Sequence, residues 1–392
     1  MENILFIETR GMNPTGVLKE AISCGYHPIV ATAQSNIWRK HLAEQAIECT
    51  LIQVDELTAE AILSALATQP IAVITLSDQY LEIGAKVAQY LSLPHTSADV
   101  VANCRDKYTT RKLVSQTSVK QPLFIKLSDL NDLNTVNLKH AIGFPLIFKP
   151  LFGHSSLGVQ TFYSQQEVDE FFSQPSFTFD FPYIVEKLIE NAELFSVEGF
   201  IDPLGVHFLG CSSRILGGEG NCVELGGIFP YPEYAKALYT ASKKVIGAIG
   251  MTFGAFHIEY LVKNEDVYLV EVNPRFPNGP APSNISRALG VSLDRLILEL
   301  FINGCCKNRP VPTGYAIARA IYSEKEGNVT HIDVPENLDA EVFISESAPF
   351  HVSALKSNAD RFGFLITSAD DLSGLDSKVS KLMQLIKIQF SA

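Results

Sequence analysis

The sequence lacks any run of eighteen or more apolar residues, and Met1-Glu2-Asn3 gives the short apolar stretch behind it no basic flank. A membrane span and a secretory signal are therefore not expected. Positive charge is scarce: 31 Lys and Arg against 43 Asp and Glu leave a formal charge of −12. That balance argues against a general nucleic-acid coat or an anionic-membrane binder, and any anion must be met by a few concentrated cations. Zinc-type pairings are missing as well. Cys24, Cys49, Cys104, Cys211, Cys222, Cys305 and Cys306 form no C-x-x-C pair with a second pair or a His cluster behind it. Reduced, mostly buried thiols in a cytoplasmic chain are the expectation, with the adjacent Cys305-Cys306 the place to look for redox chemistry. Phosphate-binding fingerprints are absent too. The first loop, Glu8 to Gly16, has no G-x-G-x-x-G, and no loop ends in the G-K-[ST] of a Walker motif.

What is present reads as globular, with 46% apolar and 19% charged residues. A chain of 392 residues is too long for one core, so two or three domains are expected. The first hundred residues alternate strand and helix: Ile4–Ile7, Val17–Cys24, Pro28–Ala31, Leu51–Val54, a helix capped by Thr58, then Ile71–Thr75. Such alternation implies a parallel sheet with helices on both faces. From about Ser118 short strands neighbour one another (Leu146–Lys149, Tyr183–Ile189, Leu194–Ile201, Val206–Cys211), an antiparallel α+β texture. Helices are expected over Pro232–Ile249, ended by Gly250, and from Ser292, ended by Gly304.

Three stretches carry candidate chemistry. The segment from Phe256 to Asn273 reads as a hairpin. With a three-residue tip, Asn264-Glu265-Asp266, Lys263 pairs with Val267 and Glu259 falls opposite Glu271, with Asn273 on the same face. A two- or four-residue tip would put the two glutamates on opposite faces. Directly opposed carboxylates repel; a divalent cation between them, with Asn273 as a third oxygen donor, would account for the pair. An all-oxygen set suits Mg²⁺ or Mn²⁺. Pro274 then stops the strand and Arg275 projects a fixed cation beside that site. The other account of the hairpin is purely structural, with one glutamate in solvent. Second, Lys149 ends an apolar strand and leads into the loop from Gly153 to Gly158, whose glycines and small hydroxyl residues suit close approach of backbone N–H groups to phosphate. Third, Tyr183 to Glu198 reads as two strands with acids at both shoulders of their connection; strand backbone can read an adenine edge and a carboxylate can accept ribose hydroxyls.

Taken in order, these pieces resemble the ATP-grasp superfamily across essentially the whole chain. The matching run is Asp106-Lys107 with Arg111, Phe144-Pro145-Leu146-Ile147-Phe148-Lys149-Pro150, the Gly153–Gly158 loop, Val185 to Ile189, Glu193 before Ser196-Val197-Glu198, and Glu259…Glu271-Val272-Asn273-Pro274-Arg275. The resemblance implies an α/β and α+β fold in three parts: an N-terminal parallel α/β domain (1–117), a small lid (118–195), and a C-terminal antiparallel α+β domain (196–392) with a small subdomain from about 312. It also implies that Lys107 and Lys149 hold ATP phosphates while Gly153, Ser155, Ser156 and Gly158 close over them. Glu186, Lys187, Leu188 and Ile189 would read adenine and Glu193 ribose; Glu259, Glu271 and Asn273 would hold Mg²⁺. Lys149 and Arg275 would be catalytic, with Arg275 stabilising the transferring phosphoryl group. One departure from many relatives is His154 in an otherwise small-residue loop.

The implied reaction activates a carboxylate as its acyl phosphate, with ADP released, and an amine then displaces phosphate. Within the superfamily, the stretch from Cys211 to Pro230 looks most like the L-amino-acid ligase, dipeptide-forming branch. Arg214, Glu224, Asn278 and Gly279, together with Arg275, are then candidates to meet substrate. Small carboxylate and amine molecules are the implied partners, and a homodimer is compatible with the family. The alternatives are a biotin-carboxylase-like or purine-carboxylase-like enzyme using bicarbonate, and a nucleotide-binding regulator without turnover.

Overall fold

A computed structural model describes residues 1–8, 15–152, 158–174, 182–218 and 223–391. Its first four strands, β1 (Asn3–Ile7), β2 (His27–Thr32), β3 (Thr50–Gln53) and β4 (Ala72–Ile74), form a parallel sheet in the order β3-β2-β1-β4. Alternation along β1 explains its unbroken apolar run. Ile4 and Phe6 enter one core with Leu18 and Trp38, whereas Leu5 and Ile7 enter another with Ile62 and Val87. The first of these cores also contains Phe276 and residues of the helices Ala281–Leu289 and Leu293–Asn303. Apolar packing thus fixes the N-terminal sheet against the segment that follows Arg275. Strand order reverses between β1 and β4, so the crevice at their carboxyl ends is where ligands bind in open α/β sheets. Asp78–Tyr80, a short 3-10 turn, follows β4 there.

Strands β5 (Phe124–Leu127), β6 (Leu146–Pro150), β7 (Gln160–Phe162) and β8 (Tyr183–Lys187) form an antiparallel sheet in the order β5-β8-β6-β7. β8 ends at Lys187, two residues earlier than expected. The next six strands are β9 (Glu193–Asp202), β10 (Gly205–Ser213), β11 (Ile215–Gly217), β12 (Val223–Phe229), β13 (Gly254–Lys263) and β14 (Asp266–Asn273). Of these, β10-β9-β13-β14 form the sheet that carries the acidic hairpin. The chain then supplies β15 (Tyr315–Tyr322), β16 (Gly327–Asp333), β17 (Glu341–Ile344), β18 (Phe350–Val352), β19 (Arg361–Ala369) and β20 (Lys387–Phe390). They complete two further sheets, β11-β12-β15-β19-β17 and β18-β16-β20. The helix expected from Pro232 starts at Ala235, after a turn, and closes on left-handed Gly250; Ser292 and Gly304 cap the later helix at its two ends. No helix among the described residues is long and apolar enough to cross a membrane.

The hairpin differs from its expected form in an instructive way. Its tip is two residues, Asn264 and Glu265, both at positive φ, and Lys263 pairs with Asp266 rather than Val267. A regular ladder from that tip would have put Glu259 opposite Val270. Instead the register shifts between Glu259 and Tyr260: Tyr260 pairs with Leu269, and Glu259 with Glu271. Val270 is the extra residue of this bulge, and the insertion restores the opposition of the two glutamates. The bulge is itself anchored, because the Val270 carbonyl accepts a hydrogen bond from Arg111 Nη2 at 2.8 Å.

Candidate functional site

One face of the sheet β10-β9-β13-β14 gathers the polar groups. Strand register sets Ser212 beside Ser196, Ser196 beside Glu259, and Glu259 beside Glu271; one step along, Glu198 pairs with His257 and His257 with Asn273. Imidazole Nδ1 of His257 lies 3.0 Å from Glu198 and Nε2 lies 3.1 Å from Glu259. Burial pushes the His257 pKa down, but its bonds to the two carboxylates outweigh that and raise it. Glu259 is correspondingly held well below the usual carboxylate range: its burial acts upward, and the His257 bond with the charges of His257, Arg214 and Arg275 overrides it. Across the ladder, Asn273 Nδ2 donates to Glu271 at 3.0 Å, and Lys107 Nζ stands 3.9 Å from Glu271.

The carboxylates of Glu259 and Glu271 and the amide oxygen of Asn273, on one sheet face, form a hard donor set. Among the described residues no group of three or more His, Cys, Asp and Glu gathers as a metal cage. A three-oxygen protein set still fits Mg²⁺, which commonly keeps waters and takes phosphate oxygens for the rest of its shell. A cavity of about 320 Å³ adjoins this face, lined among others by Asp78, Lys107, Phe152, Glu271 and Asn273. Lys107 opens the helix Lys107–Val114, which Asp106 caps through the Thr109 N–H at 2.9 Å. Burial, reinforced by the nearby cations Lys149 and Arg111, keeps the Lys107 pKa below its ordinary value against the pull of Glu271 and Glu186.

A second, smaller cavity of about 50 Å³ lies between the sheets, lined by Arg111, Lys149, Glu186, Lys187, Leu188, Ile189 and Val270 among others. It therefore brings together the expected adenine-reading segment and Lys149. The carboxylate of Glu186 faces inward and is fully engaged. Arg111 Nε donates to one oxygen at 2.7 Å and Lys149 Nζ to the other at 2.7 Å. Burial pushes this carboxyl up, yet the two cations overcome it and hold the pKa at about 2. Lys187 ties its side chain to the Gly143 and Phe144 carbonyls, and the N–H groups of Lys187 and Leu188 donate to Leu123 and Pro145.

The remaining expected residues sit as follows. Gly158 adopts φ +72°, where a Cβ would lie 2.9 Å from Pro150 Cγ, so only glycine fits this close to the end of β6. Gly153, His154, Ser155 and Ser156 lie outside the described residues. Glu193 opens β9 opposite Val262, exposed, and its charge acts on Tyr231 and Tyr234; it is not among the residues lining the small cavity. Arg214 and Glu224 meet each other, with Arg214 Nε 3.0 Å from the carboxylate. Burial lowers the Arg214 pKa, but Glu224, Glu259 and Glu198 together raise it. Asn278 is exposed and Gly279 is left-handed at φ +69°, just before the helix Ala281–Leu289. Arg275 does not project as a bare cation, because Asp78 binds its Nε and Nη2. Nor do Lys107 and Lys149 stand alone, so each expected phosphate cation already faces a carboxylate.

Asp78 and His257 were given no role by the sequence reading, and Glu198 entered it only as part of the Ser196-Val197-Glu198 run. Glu198 and His257 had a legible signal, since both lie in strands with a fixed alternation relative to Glu259. Asp78 had none, being 197 residues from Arg275.

Residues 104–279 match the model of the ATP-grasp domain family. The chain is 21% identical over 409 aligned positions to the uncharacterized protein y4rH of Sinorhizobium fredii, covering 98% of this chain and 82% of that protein. It is 24% identical over 267 positions to the alanine–anticapsin ligase of Bacillus subtilis, covering 62% of this chain and only 56% of that one. Among solved structures it superposes on the L-amino acid ligase of Bacillus licheniformis (TM-score 0.79, 19% identity, 100% and 99% covered). Similar likeness extends to phosphoribosylglycinamide synthetase of Anaerococcus prevotii (0.78, 18%, 100% of both). It extends also to the biotin carboxylase of Campylobacter jejuni (0.76, 17%, 99% and 92%). The chain has the ATP-grasp fold, with the matched residues 104–279 spanning the lid sheet and the sheet that carries the acidic hairpin.

Proposed function

We propose that the protein is an ATP-dependent carboxylate–amine ligase that joins amino acids or close analogues through an acyl phosphate. The observation that carries this reading is the bulged hairpin, which opposes Glu259 and Glu271 beside Asn273 at a cavity that also holds Lys107. Glu259, Glu271 and Asn273 would hold Mg²⁺, which when bound supplies charge neutralisation for the phosphoryl oxygens. Lys149 and Lys107 would steady the triphosphate, with Lys149 fixed by Glu186. Adenine would enter the slot lined by Lys187 to Ile189 and meet its carbonyls and the Ile189 N–H, because the two preceding N–H groups are already donating. A substrate carboxylate oxygen then attacks the γ-phosphorus and the bond to the β-phosphate oxygen breaks, giving ADP and an acyl phosphate. Arg275 would stabilise the charge on the oxygens in transfer. A neutral amine attacks the acyl carbon, phosphate leaves, and the amine proton passes to solvent. The likeness to the L-amino acid ligase and to the alanine–anticapsin ligase supports amino-acid substrates, with Arg214 and Glu224 exchanging their mutual pair for the charged ends of one substrate.

The test is ADP release over a matrix of paired amino acids with ATP and Mg²⁺, followed by mass spectrometry of products. ADP formed only when both co-substrates are present, with a condensed product, supports the ligase. The superposition on biotin carboxylase, at a TM-score of 0.76 against 0.79, favours a second reading, a bicarbonate-using enzyme. Activity that disappears in bicarbonate-free buffer selects it. Tight ATP binding with no turnover across a broad substrate panel, with bicarbonate present, refutes both and points to a nucleotide-binding regulator.

A further inference from the structure

Arg275 leaves the end of β14 and turns toward the carboxyl end of β4. Its Nε and Nη2 donate to the two carboxylate oxygens of Asp78, and its Nη1 donates to the Phe276 carbonyl at 2.8 Å. A guanidinium has five N–H groups. Three are thus committed to the protein, and one remains on each Nη. Asp78 takes the lateral fork of the planar group and leaves a terminal pair that can still grip an oxyanion with two bonds. The arrangement is not a flexible surface contact: the Arg275 side chain is 10% exposed and that of Asp78 24%. Both ends are also held by one core, since Ile74 of β4 and Phe276, next to Arg275, pack in the same apolar cluster. Asp78 lines the same cavity as Lys107, Glu271 and Asn273.

We infer that Asp78 is a positioning residue for Arg275, fixing its guanidinium so that the terminal N–H pair is presented to the oxyanion in transfer, a phosphoryl or carboxylate group. This inference rests on the role given to Arg275 under the proposed function. A carboxylate beside a catalytic cation weakens its net field, so the gain is one of orientation. It also places the reacting side chain under the control of the N-terminal sheet.

The experiment uses the full chain, ATP, Mg²⁺ and the amino-acid pair that gives most ADP. Asp78→Asn is expected to lower kcat about a hundredfold, the scale of a 1 Å misplacement, with KM for ATP and the thermal midpoint close to those of the parent. Guanidinium ion supplied to Arg275→Ala is expected to restore part of the turnover, and to fail in the Arg275→Ala, Asp78→Asn double variant. A purely structural role for Asp78 would produce no such dependence. Should Asp78→Asn not fold, Asp78→Glu keeps the charge but shifts the fork by one methylene and is expected to lose kcat in the same way. Retention of kcat within about threefold in a folded Asp78 variant, or rescue by guanidinium that ignores Asp78, overturns the inference while leaving the ligase reading intact. A parent protein that releases no ADP with any pair overturns both.

Discussion

Glu186 offers the sharpest test of the electrostatic design. Its carboxylate and the Arg111 guanidinium are both only 2% exposed, and Lys149 closes the other side of the clamp. Glu186→Gln keeps the shape and one acceptor but leaves two cations facing no counter-charge. The carboxyl falls from 4.5 to about 2 on folding, which corresponds to about 3 kcal/mol of stability. Stripping one partner from a buried pair typically costs about 3–5 kcal/mol, the same scale. Because the folded pKa lies below the unfolded one, this contribution is complete above about pH 4.5 and fades as pH falls toward 2. At pH 3.5 the gap between parent and variant should have shrunk to about 2 kcal/mol. Urea unfolding at pH 7 and pH 3.5 measures it. Far-UV circular dichroism should accompany fluorescence, since the only tryptophan, Trp38, packs in the core of the N-terminal sheet rather than beside Glu186. A gap below about 1 kcal/mol at pH 7, or one equal at both pH values, would refute the reasoning.

Three further outcomes are expected. Glu271→Gln should abolish ADP release while the urea midpoint stays near that of the parent, because the repulsion with Glu259 is relieved as the Lys107 contact weakens; a variant that unfolds yet keeps activity per folded molecule would sink the metal assignment. Gly226→Ala should prevent stable folding, since at φ +134° its Cβ would sit 1.9 Å from the Ala318 carbonyl oxygen; soluble expression and a thermal melt read this directly. Gly247→Ala, inside the helix Ala235–Ile249 with nothing near the added methyl, should raise stability by about 0.5–1 kcal/mol in the same melt.

Local chemistry in the sequence was enough for the alternating N-terminal strands and the caps at Thr58, Ser292, Gly250 and Gly304, whereas Lys149, Glu186 and the acidic hairpin were joined into one site only by the family resemblance. Those strands and caps each follow from a short-range rule: side-chain alternation, a hydroxyl reaching an orphan N–H, a glycine tolerating left-handed backbone. The hairpin marks the edge of that legibility. Opposition of Glu259 and Glu271 was expected from a three-residue tip, whereas the molecule reaches it with a two-residue tip and a bulge at Val270. A bulge pays no visible toll in composition; it is held by Arg111, whose guanidinium arrives from a helix 159 residues away. The pairings of Arg275 with Asp78, Arg111 with Glu186 and His257 with Glu198 share that character. Sequence determined which charges this protein owns and which strands carry them. Only tertiary packing, by bringing β4 against the segment after β14, decided which opposite charges meet in a partly dry cleft, where proximity and burial set their strength.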